Sequence, residues 1–381
     1  MRLLPAPVLL ALVSLACSSG SGEEAAPPVD AETNETSSVE DSAAAEVPLG
    51  DDTGTVGETG TDATIVEGAT EPNLKVAFVG DQGTNANTLV VLNLIKKEGA
   101  QFVVLLGDFD YEDDPAQWEG DLVAGLGAEF PVFGVIGNHD EARWAVTDGY
   151  KSRLTARLAK IAGAKCTGEY GVKSLCTYKG LSFILSGAGT LGTGHDTFIK
   201  DQLAADKSIW RVCAWHKNMA DMQIGDKGDE AGWGPYQACQ NGGALVMTGH
   251  EHSYARTKTL TALGNRAAGH GATGAFDKLV VKAGSPGSTF VTVSGLGGTG
   301  IRDYVASKHD DDTWWASYWG DDTALKTGVG VHLKNGVKLT TNAGYGVTFV
   351  TFNVDGDPHK ARGYVKSTGG VEIDSYEIRR E

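Results

Sequence analysis

The stretch LKVAFVGDQGTNANTLVVLNLIKKEGAQFVVLLGD, residues 74–108, contains two apolar runs separated by a segment with helical periodicity. Each apolar run is typical of a buried β-strand, and each ends in Gly-Asp. The segment between them begins with Asn and Thr and stops at Gly99, which are common helix start and stop signals. A strand, a helix and a strand in this order predict a right-handed crossover and parallel pairing. The stretch therefore indicates an α/β fold.

Three later apolar runs also end in Asn, Asp or His. They are PVFGVIGNHD (131–140), SIWRVCAWH (208–216) and GALVMTGHEH (243–252). Ligands of such sheets bind outside the carboxyl ends of the strands. We therefore expect one site built from the polar residues at these ends, namely Asp81, Asp108, Tyr111, Asn138, His139, Asp140, His216, His250 and His252.

Beyond residue 270 the chain consists of short β-runs separated by Gly and Asp turns. We interpret this part as the second, antiparallel sheet of the same domain. Residues 302–345 form an insertion that contains DDDTWWASYWGDD (310–322). We expect this Trp-rich insertion to be a lid that packs on its own domain. Contact of its aromatic side chains with a substrate or a sugar is the alternative.

The formal net charge of −17 is unevenly distributed along the 381 residues. Residues 18–70 hold thirteen acidic side chains and neither Lys nor Arg, and Arg2 carries one positive charge, which leaves a net charge of −5 for residues 71–381. A mildly acidic body argues against nucleic acid as the main ligand, because binding to phosphate backbones requires a basic surface.

Residues 1–17, MRLLPAPVLLALVSLAC, have a positive start and a short apolar stretch, which indicates an export signal. Cys17 followed by SSGSG resembles a bacterial lipoprotein cleavage site, so Cys17 would become lipidated. Ser14 departs from that pattern, and a plain secretory signal is the alternative. Residues 18–70 predict a disordered acidic linker. We expect an exported protein that is lipid-anchored at a bacterial cell envelope, or else is secreted or periplasmic.

Four cysteines follow the leader, an even number that is typical of an oxidising compartment. They allow three pairings. We favour Cys166 with Cys176, which would staple a hairpin, and Cys213 with Cys239, which would join a strand to the loop before the next strand. None of the four is spaced like a zinc ligand set.

The chemistry of the residues at the strand ends predicts a site for two metal ions. Carboxylates suit hard ions, imidazoles suit transition metals, and one carboxylate is able to bridge two ions. Each motif alone is a weak signal, since His-x-His also occurs as ordinary surface. Five motifs, each at the end of a predicted strand, together favour a metal centre.

These residues resemble the calcineurin-like metallophosphoesterases, and among them the purple acid phosphatases. The resemblance covers residues 74–256 through its motifs. It implies a four-layer αββα sandwich of two mixed β-sheets flanked by helices, with residues 71–381 as the catalytic domain. Most of the family has a histidine ligand where this chain has Gly83. Tyr111 stands three residues after Asp108, where purple acid phosphatases carry the tyrosine that binds ferric iron.

The resemblance implies a ligand set for each metal ion. The first ion would be held by Asp81, Asp108, Tyr111 and His252, and the second by Asp108, Asn138, His216 and His250. Asp108 would bridge the two. The phenolate favours Fe(III), so the expected cofactors are Fe(III) and a divalent ion, which would be Fe, Zn or Mn.

The resemblance also implies hydrolysis of a small phosphate ester by attack of a metal-bound hydroxide. His139 would stabilise the transition state or protonate the leaving oxygen, and Asp140 would orient His139 or lie exposed at the surface. Plant-type relatives have a further histidine shortly after the one that matches His216, and this chain has none. Lys217 or Asn218 would contact phosphate instead, or Lys217 would be solvated.

We expect phosphomonoesters as substrates. One alternative is a phosphodiesterase of nucleotides or phospholipid headgroups. An alternative of another class is a non-catalytic surface lipoprotein that binds carbohydrate through Trp314, Trp315 and Trp319. The sequence does not specify the oligomeric state. The remaining five histidines have no ligand partners nearby in sequence, and we expect structural roles for His195, His270, His309, His332 and His359.

Overall fold

A computed structural model of the protein describes residues 67–325 and 329–381. They lie within one compact unit, Ala63–Glu381. The predicted export signal with Cys17, and the linker up to residue 66, lie outside the described residues. In the part of the chain that the structure covers, no helix combines the length and the apolar character needed to cross a membrane.

The β-strands are short and run through the whole described region. In chain order they are β1 Leu74–Val79, β2 Phe102–Leu105, β3 Val132–Gly134, β4 Lys165–Glu169, β5 Lys173–Tyr178, β6 Leu181–Ser186, β7 Arg211–Trp215, β8 Leu245–Thr248, β9 Tyr254–Thr257, β10 Lys278–Val281, β11 Val291–Ser294, β12 Trp315–Gly320, β13 Gly330–Lys334, β14 Val337–Thr341, β15 Gly346–Phe352, β16 Lys360–Ser367 and β17 Glu372–Arg380.

The α-helices lie mainly between the strands of the first two-thirds of the chain. They are α1 Ala86–Lys97, α2 Pro115–Gly125, α3 Glu141–Trp144, α4 Tyr150–Leu158, α5 His195–Ala205, α6 Trp233–Gly242 and α7 Ala306–His309. Short 3-10 turns occupy Ala220–Met222, Arg266–Gly271, Thr323–Leu325 and Val354–Gly356.

Helix α1 begins and ends where the sequence predicts. The Asn85 side chain caps its first turn by accepting hydrogen bonds from the backbone N–H groups of Asn87 at 2.8 Å and Thr88 at 3.2 Å. The chain leaves the helix at Gly99, whose φ of +72° suits glycine. The strands on either side of α1 are parallel neighbours, which confirms the predicted parallel pairing.

The strands form two mixed sheets. The first has the order β10-β17-β16-β15-β1-β2-β3, and the second has the order β14-β13-β12-β9-β11-β8-β7-β6-β5-β4. Helices α1 and α4 pack on the first sheet, and α5 and α6 pack on the second. The four-layer αββα sandwich that the resemblance implies is confirmed.

The division of the strands between the sheets differs from the prediction. Of the predicted tail strands, β10, β15, β16 and β17 lie in the first sheet, where β15 pairs with β1, and β11 lies in the second sheet. Strands β7 and β8, whose apolar patterns resemble those of the early parallel strands, lie in the second sheet. Apolar patterning identifies a strand, but it does not specify the partner with which the strand pairs.

Aromatic side chains fill the space between the two sheets. Phe102 and Phe133 of the first sheet lie 5.6 Å apart between ring centroids, and Phe183 of the second sheet lies 5.8 Å from Phe102 and 4.8 Å from Phe133. All three are fully buried. Each such burial contributes about 1.5–3 kcal/mol, so this cluster holds the sheets face to face.

A buried ion pair also joins the two sheets. Arg256 on β9 donates from Nε to Asp374 Oδ2 on β17 at 2.6 Å and from Nη2 to Asp374 Oδ1 at 3.1 Å. The Tyr254 hydroxyl donates to the same Oδ2 at 2.6 Å, and the guanidinium lies 4.2 Å from the centroid of the Tyr376 ring. The pair therefore anchors the strand that follows the His250 loop.

Both favoured disulfides are present. Cys166 and Cys176 face each other across β4 and β5, as a hairpin staple would. Cys213 on β7 pairs with Cys239. Cys239 lies within helix α6 rather than in a loop, so this bridge ties a strand to the helix that covers it.

The Trp-rich insertion extends the second sheet. Its β12 pairs with β9 and β13, and β13 pairs with β14. The rings of Trp314, Trp315 and Trp319 are only 3%, 3% and 1% exposed. They therefore pack on their own domain, as expected. Because they offer no open ring face on which a sugar could stack, the carbohydrate-binding hypothesis loses its structural basis.

Candidate metal centre

The carboxyl ends of strands from both sheets meet at one edge of the sandwich. Asp81 lies in the loop after β1, and Asp108 lies in the loop after β2. His216 is the first residue after β7. The backbone N–H of His250, after β8, donates to Asp81 Oδ2 at 2.8 Å and so connects the two sheets. The predicted convergence of the strand ends is therefore present across two sheets rather than along one.

Three buried side chains present ligand atoms to one another. One atom each of Asp108, His216 and His250 lies within 4.8 Å of the other two. His216 Nε2 lies 3.1 Å from Asp108 Oδ2 and 3.0 Å from His250 Nδ1. His216 Nδ1 is 2.7 Å from the Leu106 carbonyl oxygen, to which it donates. This hydrogen bond directs Nε2 toward the cluster, as in metal-binding histidines.

Asn138 has the free donor atom that a ligand requires. Its Oδ1 is buried and has no hydrogen-bond partner among the described residues. The next residue, His139, donates its backbone N–H to Asp108 Oδ1 at 2.9 Å. A buried amide oxygen without a partner is costly, and a cation would satisfy it.

Asp81, Tyr111 and His252 form a second cluster. Tyr111 Oη lies 3.1 Å from Asp81 Oδ1 and 2.9 Å from His252 Nε2. His252 Nε2 lies 3.5 Å from Asp81 Oδ1. Burial raises the pKa of Tyr111 far above its usual range, and the charges of Asp81 and Asp108 raise it further. The Asp108 carboxylate therefore acts on both clusters, in the place that a bridging ligand would take.

Gly83 lies against the tyrosine loop. Its backbone N–H donates to the Phe109 carbonyl at 3.2 Å, and its φ is +108°. A Cβ at this position would lie 2.8 Å from Asn85 Nδ2. The chain therefore has no side chain where most of the family has a histidine, and Tyr111 lies on the adjacent loop.

The protonation states suit a metal centre. Burial lowers the pKa of His250 to about 2 and that of His252 to about 3, so both imidazoles are neutral. Burial raises the pKa of Asp81 to about 7. Burial opposes a charge on His216, but the Asp108 carboxylate raises the His216 pKa to about 9. A bound cation would replace that proton, so the donor set fits transition-metal ions.

Asp140 has a different role from the one predicted. It is fully buried, and it accepts hydrogen bonds from the backbone N–H groups of Gly137 at 2.7 Å, Asp108 at 3.0 Å and Phe109 at 2.9 Å. The prediction of surface exposure for Asp140 is wrong, and the carboxylate acts on the loop that carries His139 through backbone hydrogen bonds. Asp140 joins the loops after β2 and β3. These loops approach each other so closely that a Cβ added to Gly137 would lie 2.2 Å from Asp108 Oδ1. His139 is exposed, and its ring centroid lies 4.4 Å from that of Tyr111.

Lys217 and Asn218 make contacts that the sequence does not predict. Lys217 Nζ lies 3.2 Å from Glu230 Oε1. The fully buried Asn218 donates from Nδ2 to the Gly249 carbonyl at 2.7 Å. Lys217 is therefore paired with a carboxylate, and Asn218 supports the loop that carries His250.

Glu230 belongs to the site although no sequence motif marks it. Its Oε2 lies 2.7 Å from His250 Nε2. A carboxylate that accepts from the outer nitrogen of a ligating imidazole orients the ring and makes it a better ligand. No spacing rule could have found Glu230, because the contact depends on the path of the loop at 217–232.

We expect Glu230→Gln to weaken metal binding by about 10–100-fold, because the amide is a poorer partner for the His250 N–H. Titration of the apo protein with a competing chelator measures this change. Asp229→Asn removes the same charge one residue away, where the carboxylate caps only the backbone N–H of Ala220 at 2.8 Å, and should leave metal affinity unaltered. Equal affinities for the Glu230→Gln variant and the wild type would show that Glu230 does not position His250.

Four other histidines make hydrogen bonds or ion pairs within the domain. His195 bonds to Ser186 and Leu191, and His332 bonds to Thr341 and Ile373. His309 contacts Asp312 and the Gly225 carbonyl, and His270 lies 3.3 Å from Asp221. These partners agree with structural roles. His359 is exposed.

Comparison with known proteins shows that residues 74–254 match the family described as calcineurin-like phosphoesterase. Among solved structures, purple acid phosphatase PPD1 from yellow lupin (Lupinus luteus) seeds is similar with a TM-score of 0.56 and 15% identity, over 82% of this chain and 55% of the lupin chain. At that identity the likeness establishes the fold alone, and this chain matches little more than half the length of the lupin protein.

Two further structures are more distant. GAP50, described as the anchor in the inner membrane complex of Plasmodium, has a TM-score of 0.46 and 13% identity over 82% of this chain and 90% of its own. The structure of PhoD has a TM-score of 0.42 and 14% identity, over 82% of this chain and 74% of the PhoD chain. No curated protein matches the sequence.

Proposed function

Because the chain belongs to the calcineurin-like phosphoesterases, we propose that it is a metal-dependent hydrolase of small phosphate monoesters, related in mechanism to the purple acid phosphatases. The observation that carries the proposal is the convergence of ligand atoms from Asp108, His216 and His250 in a buried cluster. The buried Oδ1 of Asn138, which has no hydrogen-bond partner among the described residues, supports it, because the next residue, His139, bonds to Asp108.

The two clusters support a division of the proposed ligands between two metal ions. Asp81, Tyr111 and His252 would hold Fe(III), Asn138, His216 and His250 would hold a divalent ion, and Asp108 would bind both. Such ions polarise the phosphoryl oxygens of a bound ester and lower the pKa of water toward 7. Once deprotonated on binding the ion, the Tyr111 oxygen would favour the ferric ion in the first position, because a hard anionic ligand stabilises the higher charge.

The other residues would orient the substrate and move a proton. His139 lies exposed beside Tyr111, where its ring would serve as the acid that donates a proton to the departing alcohol oxygen. Asp140 would keep the His139 loop beside Asp108 through its three backbone hydrogen bonds. Glu230 would hold the His250 ring in the orientation that directs Nδ1 inward.

Metal analysis together with paired substrates tests the proposal. The purified protein should contain two metal ions, one of them iron, and should hydrolyse phenyl phosphate faster than diphenyl phosphate. A preference for the diester would replace the monoester assignment by the phosphodiesterase alternative. A metal-free protein that hydrolyses neither ester after loading with iron, zinc or manganese would contradict both.

We expect Tyr111→Phe to remove visible absorption and to lower activity while the fold is retained, because the phenolate to iron charge-transfer transition requires the Tyr111 oxygen. An absorption spectrum and a circular dichroism spectrum of both proteins check this. Tyr364→Phe is the matched control, since the Tyr364 hydroxyl bonds to Glu98 at 2.8 Å away from the centre. A colourless wild-type protein that holds only zinc or manganese would refute the iron assignment and leave phosphoesterase activity open.

Export and lipid attachment at Cys17 remain part of the proposal. The two disulfides support export, because such bonds form and persist in oxidising compartments. The mass of the mature N-terminus tests lipidation, and an unmodified Cys17 would indicate the secreted or periplasmic alternative.

A further inference from the structure

The Trp-rich insertion packs on the loop at residues 217–232, which joins β7 to α6. Val305 donates its backbone N–H to the Ile224 carbonyl at 3.0 Å. Trp314 donates from Nε1 to the Asp221 carbonyl at 2.9 Å. Ile224 is fully buried and belongs to the same hydrophobic cluster as Trp314. The insertion therefore holds this loop through hydrogen bonds and through apolar packing.

His309 joins the insertion to the same loop through its imidazole ring. The Nε2 atom donates to the Gly225 carbonyl oxygen at 3.0 Å, and Nδ1 lies 2.8 Å from Asp312 Oδ2. Asp312 also accepts from Arg266 Nη2 at 2.9 Å and from Trp315 Nε1 at 3.2 Å. The side chains of His309 and Asp312 are only 3% and 0% exposed. The ring is therefore held in one orientation, with its Nε2 donor directed at the loop.

Hydrogen bonds within the loop connect its parts. The fully buried Gln223 donates from Nε2 to the carbonyls of Ala220 and Lys227, in both cases at 3.1 Å. Near the start and end of the loop, the backbone N–H of Glu230 donates to the Asn218 carbonyl at 3.0 Å. Because these bonds tie the two arms together, a displacement of the middle of the loop would also move Glu230.

The contact between Glu230 and His250 depends on the position of the loop. Glu230 Oε2 lies 2.7 Å from His250 Nε2, and Oε1 lies 3.2 Å from Lys217 Nζ. The Glu230 side chain is 28% exposed, so dense packing does not fix it. A displacement of about 1 Å would lengthen the contact to His250 beyond hydrogen-bond distance. The backbone of the loop must therefore keep the carboxylate in place.

We propose that His309 is a positioning residue for the metal centre, which keeps the Glu230 carboxylate against His250. It acts through the Gly225 carbonyl and the loop at residues 217–232. The inference rests on the proposed function, because it requires that His250 bind a metal ion. It gives the Trp-rich insertion a role beyond extension of the second sheet, since the insertion then holds the loop that orients a metal ligand.

Two carboxamide variants separate the two contacts of His309. In His309→Gln the amide nitrogen takes the place of the ring Nε2, so the bond to the Gly225 carbonyl is kept and the contact with Asp312 is lost. In His309→Asn the amide nitrogen takes the place of Nδ1, so the contact with Asp312 is kept and the bond to the loop is lost. We expect His309→Asn to bind Zn²⁺ about tenfold more weakly than His309→Gln, which should stay close to the wild type. Competition between the full chain and a chelator measures the affinities.

A double-mutant cycle with Glu230→Gln tests the route through the loop. If His309 acts only by positioning Glu230, the loss of affinity caused by His309→Asn should disappear in the Glu230→Gln background, because both changes disrupt the same contact. Full and additive losses would show that His309 acts independently of Glu230, and would overturn the inference.

His332 provides a matched control within the same insertion. It is buried on β13, where Nδ1 lies 3.0 Å from Thr341 Oγ1 and Nε2 donates to the Ile373 carbonyl at 2.8 Å. His332→Asn should lower the melting temperature without changing the affinity for Zn²⁺. A loss of affinity as large as that of His309→Asn would mean that general destabilisation of the insertion is the cause, and would overturn the positioning role.

The results separate the positioning role from the proposed function. Equal affinities for the wild type, His309→Gln and His309→Asn would overturn the role of His309, while hydrolysis of phenyl phosphate by the metal-loaded wild type would still support the proposed function. A wild type that binds no metal ion would contradict the proposed function, and the inference would fail with it. If His309→Asn does not fold, His309→Met takes its place, because methionine fills the space of the ring and donates to neither partner.

Discussion

Asp108→Asn is expected to lower kcat/KM for a phosphate monoester by about a thousandfold or more. The carboxylate lies 3.1 Å from His216 Nε2 and also acts on Tyr111, so it acts on residues of both clusters. Asparagine has nearly the same shape but no charge, so it would hold a bridged pair of cations poorly. Transition-state stabilisation by metal ions is worth several kcal/mol, and each 1.36 kcal/mol corresponds to a factor of ten.

Metal analysis and steady-state rates check this prediction together. The variant should lose at least one equivalent of metal while its circular dichroism stays that of a folded protein. Glu112→Gln serves as the control, because it removes an exposed carboxylate from the same loop. A variant of Asp108 that retains two metal ions and stays within tenfold of wild-type activity would remove Asp108 from the centre.

Asp374→Asn is expected to reduce the free energy of unfolding by about 3–5 kcal/mol. Asp374 and Arg256 are both fully buried, and the pair is joined by two hydrogen bonds at 2.6 and 3.1 Å. The amide leaves the guanidinium charge buried without a counter-charge, which is far more costly than loss of an exposed pair. Urea unfolding at neutral pH measures the change.

A double substitution distinguishes charge burial from loss of packing. Arg256→Met with Asp374→Leu removes both charges and should be closer to the wild type than Asp374→Asn alone, because the uncompensated charge disappears. Tyr254→Phe removes only a hydroxyl that donates to Asp374 at 2.6 Å, and should cost about 1.5–3 kcal/mol. An Asp374→Asn variant destabilised by less than about 1 kcal/mol would mean that water or another group neutralises Arg256.

Features that depend on neighbouring residues could be predicted from the sequence. The cap of α1 at Asn85, its end before Gly99 and the parallel pairing of β1 with β2 follow from local patterns. The disulfide between Cys166 and Cys176 closes a hairpin, which is a short-range contact. The positions of Asp81 and Asp108 after apolar runs were sufficient to indicate a ligand site, because strand ends collect at one edge of a sheet.

Contacts between distant segments could not be predicted in this way. Arg256 and Asp374 are 118 residues apart, and β7 and β8 could have joined either sheet on apolar pattern alone. The burial of Trp319 depends on the pairing of β12 with both β9 and β13.

The same limit applies inside the metal centre. Residue types and strand ends identify the ligands, since the chemistry of a carboxylate or an imidazole is a property of the side chain alone. The partner of each side chain is a property of the folded chain. Asp140 bonds to three backbone N–H groups and Glu230 to His250 because packing of the two sheets brings their loops within hydrogen-bond distance. No local pattern encodes such distances, because they result from the summed packing of the whole domain.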